Sequence, residues 1–322
     1  MDSWQKKHQL LSLLNQQGFV SGEWLSEQMG MTRAAVNKKV KQLNQEGLEV
    51  YSVKGKGYKL ADQVSLSQPA ELEKLLSRPL HWFHQIESTN AYLMERCHEL
   101  VKGETCIAEC QTAGRGRRGR QWISPYGSNL YQSVYWRIDD GFAAAMGLSL
   151  VVGLSLAETL EKLGFDGIGL KWPNDIYRFG RKLAGVLVEI KGSPEGPCHL
   201  VIGFGVNIAM PKALGAAIDQ PWADLTQESS AVIAKNQLIH ALHENLLKDL
   251  AQFELSGLEP FLPRWEALDL FIGQQVTLTS AAKVITGRYL GVDSEGNLLL
   301  EDTSGERNSY SGGEVSLRLL AE

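Results

Sequence analysis

The run Gly114-Arg115-Gly116-Arg117-Arg118-Gly119-Arg120, followed by Gln121-Trp122, sets three glycines among four arginines. Glycine lets the backbone approach a ligand closely and take up positive φ. Arginine presents a fixed cationic fork that suits phosphate or carboxylate. The run therefore predicts an anion site. Its like charges repel, so a mobile loop that orders around its ligand is expected. No Gly-Lys-Ser/Thr follows, which sets it apart from the common phosphate loop. A solvated basic loop or a nucleic-acid patch is the plainer alternative.

Other polar groups fall at the ends of predicted strands. Glu87-Ser88-Thr89-Asn90 joins a strand (Leu80 to Ile86) to a helix (Ala91 to Leu100). Small oxygens at such a junction cap the helix or are aimed at a polar ligand. Lys171, Asp175, Lys182 and Asn207 lie near the ends of consecutive strands starting at Ile168, Arg181 and His199. Sheet proteins often build a site there. Lys182 beside Leu183 and Gly185 either bonds a ligand carboxylate or snorkels to solvent. Trp222, in an irregular stretch from Pro211 to Leu225, is either a lid or a packed ring.

The elements that must hold these groups follow from the pattern. Thr105 to Gln111 and Asn129 to Arg137 read as strands, the first leading straight into the arginine loop. Phe142 to Leu163 reads as a long apolar helix. Gly147, Ser149, Gly153, Ser155 and Glu158 interrupt it, which implies burial against a sheet rather than a membrane span. Gln237 to Leu258 and Phe261 to Leu270 read as further helices. From Ile272 the pattern turns to short alternating strands (Gln275–Thr279, Val284–Leu290, Leu298–Glu301, Glu314–Leu317), which predict a small barrel. It has no clear reactive cluster, so a packing or docking role is expected.

At the other end, Leu10 to Leu14 form a short apolar helix. Ser21 opens a second, with Trp24, Leu25 and Met29 on its apolar side, and Gly30 ends it. Thr32 caps a third helix through Ala34, Val36, Val40 and Leu43. Helix, glycine turn, helix is the helix-turn-helix layout. Arg33, Asn37, Lys38 and Lys41 would face a major groove. A hairpin wing follows, whose Lys54 and Lys56 can reach DNA backbone.

Charge agrees with that division. Residues 1–60 hold nine Lys/Arg against five Asp/Glu, while the 322-residue chain carries a net charge of -5. A basic head on an acidic body suggests a nucleic-acid module at the front. Hydrophobic content of 43% and charged content of 21% fit a soluble globular protein. The four cysteines show no metal-binding spacing, so buried thiols in a reducing compartment are expected. No N-terminal signal or membrane-length run appears, and a cytoplasmic protein is the resulting expectation.

Five pieces occur in order: Glu87–Asn90, Gln111–Arg120, Lys171-Trp172-Pro173-Asn174-Asp175, Arg181-Lys182-Leu183-Ala184-Gly185-Val186-Leu187, and Gly312-Gly313-Glu314-Val315-Ser316-Leu317-Arg318. Together they resemble the bifunctional biotin–protein ligases that are also biotin operon repressors, over nearly the whole chain. The resemblance implies an α+β multidomain fold. Its parts are a winged helix-turn-helix (1–63), a mixed-sheet catalytic domain of biotin/lipoate-ligase type (64–270) and an SH3-like barrel (271–322). It implies biotin and ATP with Mg²⁺ as reactants, biotin carboxyl carrier protein and biotin operator DNA as partners, and a homodimer when adenylate is bound. No metal would be fixed by the protein itself.

By the same resemblance, Ser88, Thr89, Asn90 and Gln111 contact biotin, and Arg115, Gly116 and Arg117 fold over it. Arg117 and Lys182 are the expected catalytic pair, Lys182 holding biotin's carboxyl or the phosphate. Arg118, Arg120, Trp122, Lys171, Asn174, Gly185, Leu187 and Asn207 line the adenylate pocket, and Trp222 covers the adenine. Asp175 is assigned to the metal or the incoming lysine. Ser21, Thr32, Arg33, Asn37, Lys38, Lys41, Lys54 and Lys56 are the expected DNA-binding set. Rival readings are a monofunctional ligase with an idle N-terminal domain, a catalytically silent biotin-sensing repressor, and a lipoate-type ligase.

Overall fold

The computed structural model describes residues 3–15, 18–62, 64–216, 218–227, 234–279, 284–312 and 316–319. Helix α1 (Ser3–Leu14) leads into α2 (Gly22–Met29) and α3 (Arg33–Gln45). The Ser21 side chain accepts from Trp24 N and that of Thr32 from Ala35 N, each satisfying a donor the helix leaves open. Gly30 ends α2 in the left-handed region at φ 58°. Strands β1 (Val50–Val53) and β2 (Gly57–Leu60) pair antiparallel as the wing. Leu10, Leu14, Leu25, Val36 and Leu43 are fully buried between the helices, where the apolar spacing puts them.

The next stretch fastens this unit to the body. Asn15 exchanges two hydrogen bonds with the Val64 backbone. Trp4 stacks on Tyr126 with centroids 4.9 Å apart. Glu109 and Lys235 form a 2.8 Å ion pair with side chains 0% and 1% exposed. The same two groups hold Ser67 N and Ser65 O, so a buried charge pair pins the segment before α4 (Pro69–Leu75).

The central domain contains β3 (Leu80–Phe83), α5 (Thr89–Glu95), β4 (Thr105–Ala108), β5 (Asn129–Ile138), α6 (Leu148–Lys162), β6 (Ile168–Lys171), β7 (Asp175–Arg178), β8 (Arg181–Gly192), β9 (Cys198–Asn207), α7 (Lys212–Gly215), α8 (Lys235–Ser256) and α9 (Leu262–Leu268). Its seven-stranded sheet runs β3-β4-β5-β9-β8-β7-β6. Of its strand pairs only β3–β4 is parallel among the described residues, so the sheet is mixed. Helix α6 packs against α8 and against β6, β7 and β8. Its apolar residues belong to the main core, as its interrupted hydrophobicity implies.

The last part is a five-stranded antiparallel sheet of β10 (Gln275–Thr279), β11 (Val284–Val292), β12 (Leu298–Glu301), β13 (Arg307–Tyr310) and β14 (Ser316–Leu319), ordered β13-β12-β11-β10-β14. Val276, Leu278, Tyr289, Leu298, Leu300 and Leu317 form its buried face. Tyr289 donates to Asp269 Oδ2 at 2.6 Å, tying the sheet to the segment after α9.

Several elements differ from the sequence pattern. The strand expected to reach Ile86 stops at Phe83, and Ile86 keeps only a bridge to Gln111. The helix expected to reach Leu100 stops at Glu95. The helix expected from Phe142 breaks into a short 3-10 turn and α6, because Gly147 takes φ 77° between them. Asp175–Arg178, which the sequence pattern does not set apart as a strand, is β7, since Trp172-Pro173-Asn174 completes the reversal and Lys171 pairs with Asp175. Strand β13 has no counterpart in the sequence pattern, its residues being mostly polar. Gly313, Glu314 and Val315 of the C-terminal motif lie outside the described residues.

Candidate functional site

One end of the central sheet opens into a cavity of about 400 Å³. Six chain segments wall it: the start of α5, the arginine loop, the β6–β7 turn, the ends of β8 and β9, and the Trp222 segment; Leu317 and Arg318 join from the C-terminal sheet. Its size is that of a small-molecule site.

The floor is a hydrogen-bond network. Ser88 caps α5, its side chain accepting from Ala91 N at 3.4 Å, and it also lines the cavity. The capping reading of that serine is therefore the one its hydrogen bond shows. Gln111 Oε1 accepts from Thr89 N at 2.9 Å and from the Thr89 hydroxyl at 3.1 Å. Asn90 Nδ2 donates to Glu189 Oε2 at 2.8 Å and to Leu187 O at 3.3 Å. The Ser133 hydroxyl lies 2.5 Å from Asn90 Oδ1 and 2.7 Å from Thr89 Oγ1. Ser88, Thr89 and Asn90 are all buried, so their polar edges are fixed before any ligand arrives.

The glycines of β9 make room for this. A Cβ on Gly203 would stand 2.1 Å from Asn90 Oδ1, and one on Gly205 would stand 2.5 Å from the Trp122 ring. Trp122 thus lies flat against a strand that only glycine leaves open.

The arginine loop folds over the cavity through a short 3-10 turn at Arg117–Gly119. Its expected charge repulsion is answered by partners. Arg115 pairs with Glu189 at 3.0 Å. Arg117 Nη1 donates to Asn174 Oδ1 at 3.0 Å, and its Nη2 donates to the Gly312 carbonyl. Gly116 N donates to Arg120 O at 2.7 Å, closing the loop on itself. Arg118 takes φ 58°, a left-handed conformation uncommon for a side chain of its size. Desolvation by burial pulls the Arg117 pKa down while Asp175 opposes it, and a guanidinium remains charged regardless.

The opposite wall carries the remaining charge. Lys182 Nζ lies 2.7 Å from Asp175 Oδ1, and both side chains are largely shielded. The same ammonium sits 5.7 Å from the Trp122 ring centroid. It is held inside the cavity by Asp175 rather than extended into bulk solvent. Lys171 donates to the Tyr177 hydroxyl at 3.1 Å, and burial lowers its pKa, with Asp175 acting the other way. Asn174 Nδ2 donates to Val186 O at 2.6 Å. Gly185 pairs with Asp175 across β7 and β8, and Leu187 offers its carbonyl to Asn90. Asn207 Nδ2 donates to Ala223 O at 3.1 Å. Trp222 donates to Gly215 O at 3.0 Å and edges the cavity beside Lys182.

Three buried polar atoms of the lining, Trp122 Nε1, Gln132 Oε1 and Asn207 Oδ1, have no partner among the described residues. Buried polar groups are normally matched, so unmatched ones around a cavity mark a place for a polar ligand.

Sequence reading missed Glu189, Ser133 and the C-terminal sheet's share. Glu189 interrupts an apolar strand, and that lone acid was the available signal. The Gly312 carbonyl and Arg318 reach the site only through the docking of the last sheet, anchored by Trp172 Nε1 donating to Gly296 O at 3.0 Å. The packing or docking role expected of that sheet therefore extends to placing the Gly312 carbonyl and Arg318 at the cavity.

The expected DNA-facing residues divide. Arg33, Lys38, Lys41, Lys54 and Lys56 are exposed, Arg33 beside Glu23 at 2.7 Å. Asn37 donates to the Tyr58 hydroxyl of the wing. The Ser21 and Thr32 oxygens are engaged as helix caps.

Comparison with known proteins follows the same three-part layout. Residues 82–207 match the biotin/lipoate A/B protein ligase family, residues 6–59 an HTH domain, and residues 271–318 the biotin protein ligase C terminal domain. The chain is 46% identical to the bifunctional ligase/repressor BirA of Salmonella typhimurium over 310 residues, 96% of each chain. It is equally 46% identical, with the same coverage, to that of Escherichia coli. A solved structure of the Aquifex aeolicus biotin protein ligase in complex with biotin and ATP aligns with TM-score 0.64 at 28% identity, covering 75% of this chain and 99% of that one. With its ligase, helix-turn-helix and C-terminal regions matched in order, and 46% identity over 96% of its length, the chain belongs to the bifunctional biotin ligase/repressor family.

Proposed function

We propose that the chain joins biotin to AMP from ATP and then passes biotin to a lysine of the biotin carboxyl carrier protein. The observation that carries this is the meeting of a fixed polar floor, the arginine loop and the Lys182–Asp175 pair on one cavity.

In the first step a carboxylate oxygen of biotin attacks the α-phosphorus of ATP, and pyrophosphate leaves. Two anions must be brought together. Arg117, Lys182 and their cationic neighbours offset that repulsion from positions fixed in advance. In the second step the neutral carrier amine attacks the acyl carbon, gives up a proton, and AMP departs with the bonding pair. We assign Ser88, Thr89, Asn90 and Gln111 to biotin's ureido end, Trp122 to the pocket wall and Trp222 to the adenine. Asp175 and Asp219 are the carboxylates of the lining, and Asp175 is engaged by Lys182. Mg²⁺ would therefore be held chiefly by the triphosphate oxygens it arrives with, and Asp175 also suits the incoming lysine.

The N-terminal unit, residues 1–63 in our division, serves as the operator-binding domain, with 64–270 catalytic and 271–322 the terminal sheet domain. Adenylate-bound protein would form a homodimer and occupy two half-sites. Carrier protein would compete with the second copy, so unused adenylate would mean repression. This work belongs in the cytoplasm.

Intact-mass analysis of carrier protein incubated with the chain, ATP, Mg²⁺ and biotin or lipoate tests the catalytic reading. One added biotin per carrier supports it. Preference for lipoate would move the chain to the lipoate-type reaction.

A further inference from the structure

Helix α5 and strand β9 each lend one end to the ligase cavity. Their other ends meet in a second group of reactive side chains. Cys97 and His98 lie in the turn after α5, and His199 is the second residue of β9. Cys97 Sγ and one imidazole nitrogen from each histidine lie within 4.8 Å of one another. The two imidazoles meet edge to face, with centroids 4.6 Å apart and planes at 76°.

Their surroundings suit ligation. The Tyr135 hydroxyl lies 2.7 Å from His199 Nδ1, which fixes that ring. Second groups of this kind orient metal-binding histidines. Cys97 is fully buried among Leu93, Cys106, Tyr135 and Val201, His199 is half-buried and His98 is exposed. A cation thus has an entry from solvent over His98 and a protected sulfur beneath it. An ordinary buried thiol would have an apolar shell alone.

We propose that Cys97, His98 and His199 bind one borderline-soft divalent cation, Zn²⁺ in preference to Mg²⁺ or Ca²⁺, with a fourth position left to water. One sulfur and two imidazole nitrogens are ligands that select zinc, whereas Mg²⁺ and Ca²⁺ want oxygens. Tetrahedral zinc with bonds of about 2.0–2.3 Å places its ligands roughly 3.5 Å apart. Rotation of the exposed His98 supplies the needed closure. On binding, the Cys97 thiol releases its proton to solvent and the thiolate bonds the metal; no electron is transferred. Gly203 lies four positions along β9 from His199, roughly 13 Å of strand, so the site is distinct from the ligase cavity. The cation would clamp the end of α5 to β9 and so stabilise the folded chain.

Cobalt titration of the metal-free, full-length protein tests this. The expected result is one equivalent of Co²⁺ with thiolate-to-cobalt charge-transfer absorption and the visible bands of a tetrahedral ion, displaced by Zn²⁺. Cys97→Ser should abolish the charge-transfer band. His98→Ala, at an exposed position with little cost to folding, should weaken binding by more than about tenfold. Cys110→Ser, at the half-buried thiol elsewhere, should leave the titration unchanged. Folded parent protein without a thiolate–cobalt band overturns the proposal. So does a band that survives Cys97→Ser, or one that is lost with Cys110.

Discussion

Replacing Arg117 by alanine tests the arginine loop as a latch. Its guanidinium links three parts of the chain: the loop, Asn174 in the β6–β7 turn at 3.0 Å, and the Gly312 carbonyl of the C-terminal domain. Hydrogen bonds from a charged donor contribute about 1.5–3 kcal/mol each. Two at the low end give about 3 kcal/mol for holding the loop shut, or roughly 150-fold in its opening. The adenylate would lose a cation as well, so this is a lower bound. Adenylate formed from labelled biotin and chased with unlabelled biotin gives the release rate directly. Arg117→Ala should release it at least about 150-fold faster, and Arg117→Lys should recover part of the loss by restoring the charge. Release at the parent rate from a folded variant would refute the latch.

Elsewhere in the fold, three further outcomes are expected. Lys41→Ala removes an exposed cation from α3; operator affinity should fall and its salt slope should shrink by about 0.9 for each phosphate no longer neutralised, with ligation unaffected, and equal affinity at fixed salt would count against the groove assignment. Glu109→Ala strands the Lys235 ammonium at 1% exposure; a loss of about 3–5 kcal/mol in urea unfolding is expected, much reduced in the Glu109→Leu, Lys235→Met double variant, and an unchanged midpoint for the single variant would contradict it. His243, buried beside Gln132, has its pKa pushed down from 6.5 to about 4 by desolvation. The unfolded chain binds that proton more readily, so this stability is present above pH 6.5 and is lost as pH falls toward 4, on the order of 3 kcal/mol in all. His243→Gln should flatten the stability profile across that window, and an unaltered profile would show that another group governs it.

What could be read from the sequence was local. Ser21, Thr32 and Gly30 announce helix ends by chemistry acting within three residues, and the structure uses each one so. The arginine loop was visible because its residue types are unusual together. Lys182 was ambiguous, because a lysine beside apolar residues serves two purposes until Asp175 is seen 2.7 Å away. Gly203 and Gly205 leave a strand face open, and Asn90 and Trp122 fill it by tertiary packing alone. Gly312 offers a backbone carbonyl to Arg117 across 195 residues, a pairing no periodicity encodes. The Cys97, His98 and His199 cluster was invisible for the same reason: a search for metal spacing along the chain cannot join a helix end to a distant strand.

Biotin-dependent exchange of pyrophosphate into ATP is the most direct test of the central claim, because it isolates adenylate formation from carrier and DNA. The account predicts exchange with biotin, none with lipoate, and a large loss on replacing Lys182 by glutamine in a folded protein. Folded parent protein that gives no exchange with biotin would contradict it and leave a biotin-sensing regulator without catalysis.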